Sequence, residues 1–185
     1  MTRHPSKKAT RLFGLSFLIV ILSITNLANA GTNSDGLHTE AWFNTTTGDL
    51  SKDLAEASAA GKILAIIWEQ PGCEYCRKMH EINLQQEETV RFIREHFYIV
   101  MLNMRGDNPV QDFDGRKMSE SQLARAHQVF GTPAIEFRNE ITEEVARMPG
   151  YADPLIFHGV FDFVVSKGYM DSSLVAWLKT NYLND

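Results

Sequence analysis

The chain holds two cysteines, Cys73 and Cys76, with Glu74 and Tyr75 between them. Residues three apart share a helix face, so this spacing sets two thiols one turn apart. Pro71-Gly72 interrupts an apolar run just before them, which puts Cys73 at the start of a helix. There the unpaired N–H groups and the macrodipole favour negative charge. Such a position can lower a cysteine pKa into roughly the 3.5–7.5 range, which makes Cys73 the attacking thiolate. Cys76, one turn further in, is placed to attack the mixed disulfide and release the product. A C-x-x-C pair beside a βαβ pattern is a redox signature.

Other uses of the pair fit less well. A bridge closed over two residues constrains the unfolded chain very little, so a purely structural disulfide gains almost nothing. Cys73, Cys76 and His80 could give a metal three ligands, but structural zinc normally takes four and no second C-x-x-C exists. Haem attachment needs histidine where Arg77 stands. Neither a metal nor an organic cofactor is expected. Glu74 puts a negative charge beside Cys73, which would raise its pKa and make the couple more reducing. Arg77, Lys78 and protonated His80 oppose it. One pKa unit is about 1.4 kcal/mol, or ~30 mV for a two-electron couple. The sequence leans toward a reductant. His80 shares a helix face with Cys76 and reads as a solvated helix histidine, with tuning or proton shuttling as the alternative.

The elements that must position the pair follow from patterning. Asp49 to Ala60 has helical spacing, with Leu50, Leu54 and Ala57 on one face and Gly61 as a stop. Lys62 to Trp68 is a continuous apolar run, as a central strand covered on both faces requires. A helix carries Cys76, Met79, His80 and Ile82, and another spans Glu87 to Glu95. Tyr98 to Asn103 reads as a second buried strand and Arg105 to Lys117 as a polar loop. Ser119-x-x-Gln122 resembles a capping box, opening a helix with Leu123, Ala126 and Phe130 on its buried face. Strands follow at Ala134 to Phe137 and Glu143 to Met148. Asp153-Pro154 opens a helix to Val165, Gly168 interrupts it, and Asp171 or Ser172 caps a last one. A first short strand near Trp42 precedes this series. The alternation predicts an α/β fold with a central mixed sheet flanked by helices.

Residues 1–30 have the pattern of an export leader. Arg3, Lys7, Lys8 and Arg11 precede an apolar stretch from Leu12 to Leu22, and Ala28-Asn29-Ala30 is a small-x-small cleavage pattern. The apolar run falls short of the ~20 residues of a bilayer span, which favours cleavage after Ala30 over a retained anchor. Gly31 to Gly36 reads as a disordered mature terminus within an N-terminal segment, 31–48, ahead of the domain proper, 49–185. Loss of the leader leaves 14 basic and 23 acidic residues, a charge of −9, and excludes nucleic acid as the main partner.

Gly131-Thr132-Pro133-Ala134, with the upstream C-x-x-C helix and the following hairpin, resembles the cis-proline loop of thioredoxins. The resemblance covers roughly Leu50 to Tyr182. It implies a thioredoxin-like fold in which Pro133 is the cis residue facing the cysteines. Thr132 would offer its backbone to substrate, with Gly72 and Tyr75 as further contacts. The stretch Trp68 to His80, the Gly150-Tyr151 step and the paired C-terminal helices are similar to SoxW-type periplasmic thioredoxins. That likeness implies a reductase of protein disulfides, recharged by a membrane electron donor of DsbD/CcdA type; separately, the chain is expected to be a monomer.

Two departures matter. Gly72 replaces the tryptophan that precedes the first cysteine in cytosolic thioredoxins. Where the family buries an aspartate as proton acceptor for the second cysteine, this strand offers Ile66 and Ile67; Glu69 either substitutes or lies on the surface. His127 and His158, without an acid or nucleophile pattern beside them, read as packing or surface residues. The competing functions are a disulfide oxidase or isomerase, a redox-inert binding module and a metallochaperone.

Overall fold

A computed structural model describes residues 1–2 and 31–183. The leader pattern of 3–30 lies outside the described residues. In chain order the elements are β1 (Gly31–Thr32), β2 (His38–Thr39), α1 (Leu50–Ala59), β3 (Ile63–Glu69), α2 (Glu74–Glu81), α3 (Glu87–His96) and β4 (Phe97–Asn103). Then come β5 (Pro109–Gln111), β6 (Lys117–Ser119), α4 (Glu120–Ala126), β7 (Ala134–Arg138), β8 (Glu144–Pro149), α5 (Pro154–Val165) and α6 (Leu174–Tyr182).

The central sheet has the order β4-β3-β7-β8. β3 runs parallel to β4 and antiparallel to β7, and β7 pairs antiparallel with β8, so the sheet is mixed. Side chains alternate across a strand, which explains the unbroken apolar run in β3. Leu64, Ile66 and Trp68 pack with Leu50, Leu54 and Ala57 of α1 and Leu123 of α4 on one face. Ala65 and Ile67 pack with Met79 of α2, Ile93 of α3 and Phe157 and Phe161 of α5 on the other. Central β3 therefore reaches the cysteine motif with both faces sealed, and the motif starts from a rigid base.

Most helix ends lie where their caps predict. Asp49 accepts from the N–H groups of Ser51 and Lys52, and Gly61 adopts φ +67° just past α1. Ser119 and Gln122 close a reciprocal capping box. Asp153 caps α5 with Pro154 in its first turn.

Several expectations are corrected. Gly31 to Gly36 is not a free terminus, because β1 pairs antiparallel with β2. No strand forms at Trp42; the chain instead holds the β4 edge through Asn44, whose N–H donates to the Ile99 carbonyl at 2.8 Å. The Asn44 Oδ1 accepts from the Ile99 N–H at 3.0 Å. The loop after β4 contains the β5–β6 hairpin. α4 stops at Ala126 because Gln128 takes a left-handed φ of 55°. That turn sends Val129 inward and leaves Phe130 85% exposed. Ser173, one residue later than expected, caps α6. Among the described residues no helix is long and apolar enough to cross a membrane.

Candidate active site

Gly72 takes φ +72°, a left-handed conformation that suits glycine, and turns the chain from β3 into α2. Cys73 is the N-cap of α2, and its Sγ accepts from the Cys76 N–H at 3.1 Å. The two cysteines form a disulfide with S–S 2.05 Å and Cα–Cα 5.2 Å. Cys73 retains 7% exposure while Cys76 is fully covered. Attack from outside can therefore reach only the Cys73 end.

The loop between α4 and β7 supplies the facing wall. The Thr132–Pro133 peptide bond is cis, and Thr132 Oγ1 donates to Cys73 Sγ at 3.2 Å. Pro133 is buried and its carbonyl accepts from the Gly150 N–H at 2.8 Å, which ties the loop to the end of β8. Tyr75, exposed on α2, stacks on Tyr151 with ring centroids 6.0 Å apart. The Lys78 ammonium sits 5.0 Å from the same Tyr151 ring. Cys73, Thr132, Pro133, Gly72 and Tyr75 thus share one end of the sheet.

Glu74 behaves differently from its sequence reading. Its carboxylate is bound by Arg77, which also pairs with Glu81. The Arg77 hydrogen bond and charge hold Glu74 below the usual carboxylate range. Exposed and already paired, Glu74 is a weak electrostatic lever on the Cys73 sulfur.

His80 is also corrected, because it is fully buried rather than solvated. Its Nδ1 lies 2.9 Å from Glu40 Oε1 and its Nε2 2.8 Å from Glu69 Oε1. Burial alone would lower the histidine pKa, but the two carboxylates outweigh it and hold His80 above its ordinary range. Strand alternation sends Glu69 to the α2 face of β3, where it is fully buried; the surface alternative fails. Its other oxygen accepts from the His38 N–H at 3.2 Å. Glu40 belongs to no motif in the sequence. A lone acid beside Trp42 in a connecting segment offers no signal for burial.

His127 forms a second buried network on the opposite sheet face, a correction to its reading as packing or surface. Its Nδ1 lies 3.0 Å from Glu136 Oε2 and its Nε2 3.1 Å from Asp112 Oδ1. Glu136 also accepts from Trp68 Nε1 at 2.9 Å and from Arg138. His158 keeps a packing role beside Phe92, with a Thr89 Oγ1 contact at 3.1 Å.

A family profile described as Thioredoxin-like domain matches residues 50–164. Among solved structures, a thioredoxin-fold protein from Helicobacter pylori is 25% identical at TM-score 0.55, covering 65% of this chain and 84% of that one. A thioredoxin from Thermus thermophilus is 25% identical at TM-score 0.53, covering 68% of this chain and 89% of that one. No curated protein matches the chain. The chain belongs to the thioredoxin-like domain family.

Proposed function

We propose that this thioredoxin-like chain is a thiol:disulfide oxidoreductase that reduces protein disulfides outside the cytoplasm. The observation that carries the reading is the asymmetry of the disulfide. Cys73 caps a helix, keeps an edge open to solvent and receives the Thr132 hydroxyl, while Cys76 is sealed beneath it. In the reduced protein the Cys73 thiolate attacks one sulfur of a substrate disulfide. A mixed disulfide forms, and the first substrate sulfur leaves as a thiolate that takes a proton from solvent. Cys76 then loses its proton and attacks Cys73 Sγ. The second substrate thiolate departs, and the Cys73–Cys76 disulfide remains. Two electrons pass from the dithiol to the substrate.

The dithiol must then be restored by an external reductant. The leader pattern of residues 1–30 supports a periplasmic location, where a membrane donor of DsbD/CcdA type supplies the electrons in this reading. The SoxW-type likeness of Trp68 to His80 supports the same direction. Glu69, buried in β3 just ahead of the motif, is the acid assigned to receive the Cys76 proton. The chain acts as a monomer.

Insulin reduction tests the reading. The wild-type protein with dithiothreitol should accelerate precipitation of the insulin B chain, and Cys73→Ser should abolish the effect. A wild-type protein no faster than dithiothreitol alone would reject the reductase reading in favour of a redox-inert binding module.

A further inference from the structure

The segment ahead of α1 lies outside the family match, which begins at residue 50. It is nevertheless built into the cysteine helix. Leu37 is buried, and Glu40 is only 2% exposed. Asn44 fixes the segment to β4 through two hydrogen bonds with Ile99. Thr46 and Thr47 both donate to the buried Asp53 of α1. An unpaired carboxylate buried to the depth of Glu40 costs several kcal/mol, so such a group stays charged only against a fixed partner.

That partner is His80. Both of its ring nitrogens face carboxylate oxygens, and both can donate only in the imidazolium form. Among the described residues, the rings of His38 and Phe43 also face it, each with its centroid 5.7 Å away. His38 Nδ1 stands 3.8 Å from Glu69 Oε2. Arg77, Lys78 and Glu81 of α2 itself lie on its exposed side. With both carboxylates ionised and the ring held as an imidazolium between them, the unit carries a net charge of −1. It lies one turn along α2 from Cys76, about 6 Å of rise, with Cys76 itself sealed from solvent.

We propose that residues 37–44 form a functional part of the redox site, with Glu40 acting through His80 and Glu69 to set the reduction potential of the Cys73–Cys76 couple. This rests on the reading of the pair as an exchanging couple. A buried negative unit opposes a neighbouring thiolate, so it favours the disulfide and makes the couple a stronger reductant. Neither Glu40 nor His80 touches a reacting sulfur; both are positioning residues.

The test is the equilibrium of Cys73–Cys76 with glutathione at pH 7, measured on the wild-type protein and two variants. Glu40→Gln keeps the shape and removes the charge. It should move the equilibrium about tenfold toward the dithiol, which is ~30 mV in the oxidising direction. Glu40→Asp keeps the charge and shortens the reach, and should stay within about threefold of wild type. A structural role ranks them the other way, with the isosteric Gln tolerated and the shorter Asp disruptive. That ranking, or no shift in Glu40→Gln, overturns the proposal.

A measurement on the wild-type protein covers the case in which a variant does not fold. Coupling is reciprocal, so a unit that shifts the couple must itself be shifted by it. The 15N titration of the His80 imidazole should have a higher midpoint in the reduced protein than in the oxidised one. Equal midpoints reject the proposal. Failure of insulin reduction would remove the reductase reading, yet both equilibria remain measurable and decide the role of Glu40 separately.

Discussion

Replacing Glu136 with alanine should be the most damaging single polar substitution in the sheet. Its carboxylate is fully buried in β7. It accepts from Trp68 Nε1 at 2.9 Å and from Arg138, meets His127 Nδ1 at 3.0 Å and lies 3.3 Å from Arg147. Glu136→Ala leaves a buried imidazolium, a buried indole N–H and a largely buried guanidinium without their shared acceptor. Breaking a buried ion pair by removing one partner costs about 3–5 kcal/mol. For a chain of this size each kcal/mol moves Tm by about 2–4 °C, so the midpoint should fall by roughly 6–20 °C.

The loss should also depend on pH in a defined sense. Burial pushes Glu136 up, but His127 and Arg138 outweigh it and hold the carboxyl below its usual range. Its contribution is complete above the unfolded carboxylate pKa of about 4.3 and disappears as pH falls through the lower folded value. Burial pushes His127 down, but Glu136 and Asp112 outweigh it and raise the imidazole. That contribution is complete below about 6.5 and disappears as pH rises through the folded value. The gap between wild type and variant should therefore be widest between about pH 4.3 and 6.5 and narrow on both sides. Thermal and urea unfolding followed by circular dichroism from pH 3 to 9 measure it. A loss under about 1 kcal/mol, or a gap that does not vary with pH, would refute the reasoning.

Two further outcomes follow from single contacts. Thr132→Val removes the hydroxyl that donates to Cys73 Sγ. At about 1–1.5 kcal/mol for such a bond, the midpoint of the pH profile for iodoacetamide alkylation of reduced Cys73 should rise by roughly 0.7–1.1 pH units, and an unchanged midpoint would exclude thiolate stabilisation by Thr132. Gly168→Ala should destabilise without touching the redox site. A Cβ there would stand 2.6 Å from Phe163 Cδ2 and 2.7 Å from the Trp177 indole. Overpacking of this kind costs about 1–3 kcal/mol, or roughly 2–12 °C in Tm, and calorimetry should show it with insulin reduction preserved at 25 °C.

The legible part of this protein was local. The run from Lys62 to Trp68 announces a strand covered on both sides, and the mixed sheet buries it that way. Ser119 and Gln122 announce a helix start because the capping box is closed within four residues. The same local logic fails after Ala126, where helical spacing predicts an inward Phe130. The left-handed turn at Gln128 shifts the inward position to Val129. Spacing cannot register a break that occurs at a residue with no glycine or proline to mark it. The cysteines stand out by their C-x-x-C spacing, whereas Thr132 and Pro133 are reached only through the resemblance to the thioredoxin cis-proline loop.

The buried histidines show what local reasoning could not reach. His80 stands among Arg77, Lys78 and Glu81 and looks solvated, yet its ring points to the face shared with Cys76 and Met79. Its partners lie 40 and 11 residues earlier in the chain, so no window of sequence contains the group. His127 is the same case, meeting Asp112 and Glu136 from two other elements. This changes where the direction of electron flow is decided. Glu74 is adjacent to Cys73 in sequence, but water screens it and Arg77 already neutralises it. Glu40 is 33 residues from Cys73, yet its charge is sealed with His80 and Glu69, where the low local dielectric strengthens its effect on a thiolate. Substituting Glu74 should therefore move the couple less than substituting Glu40, although the sequence ranks them the other way.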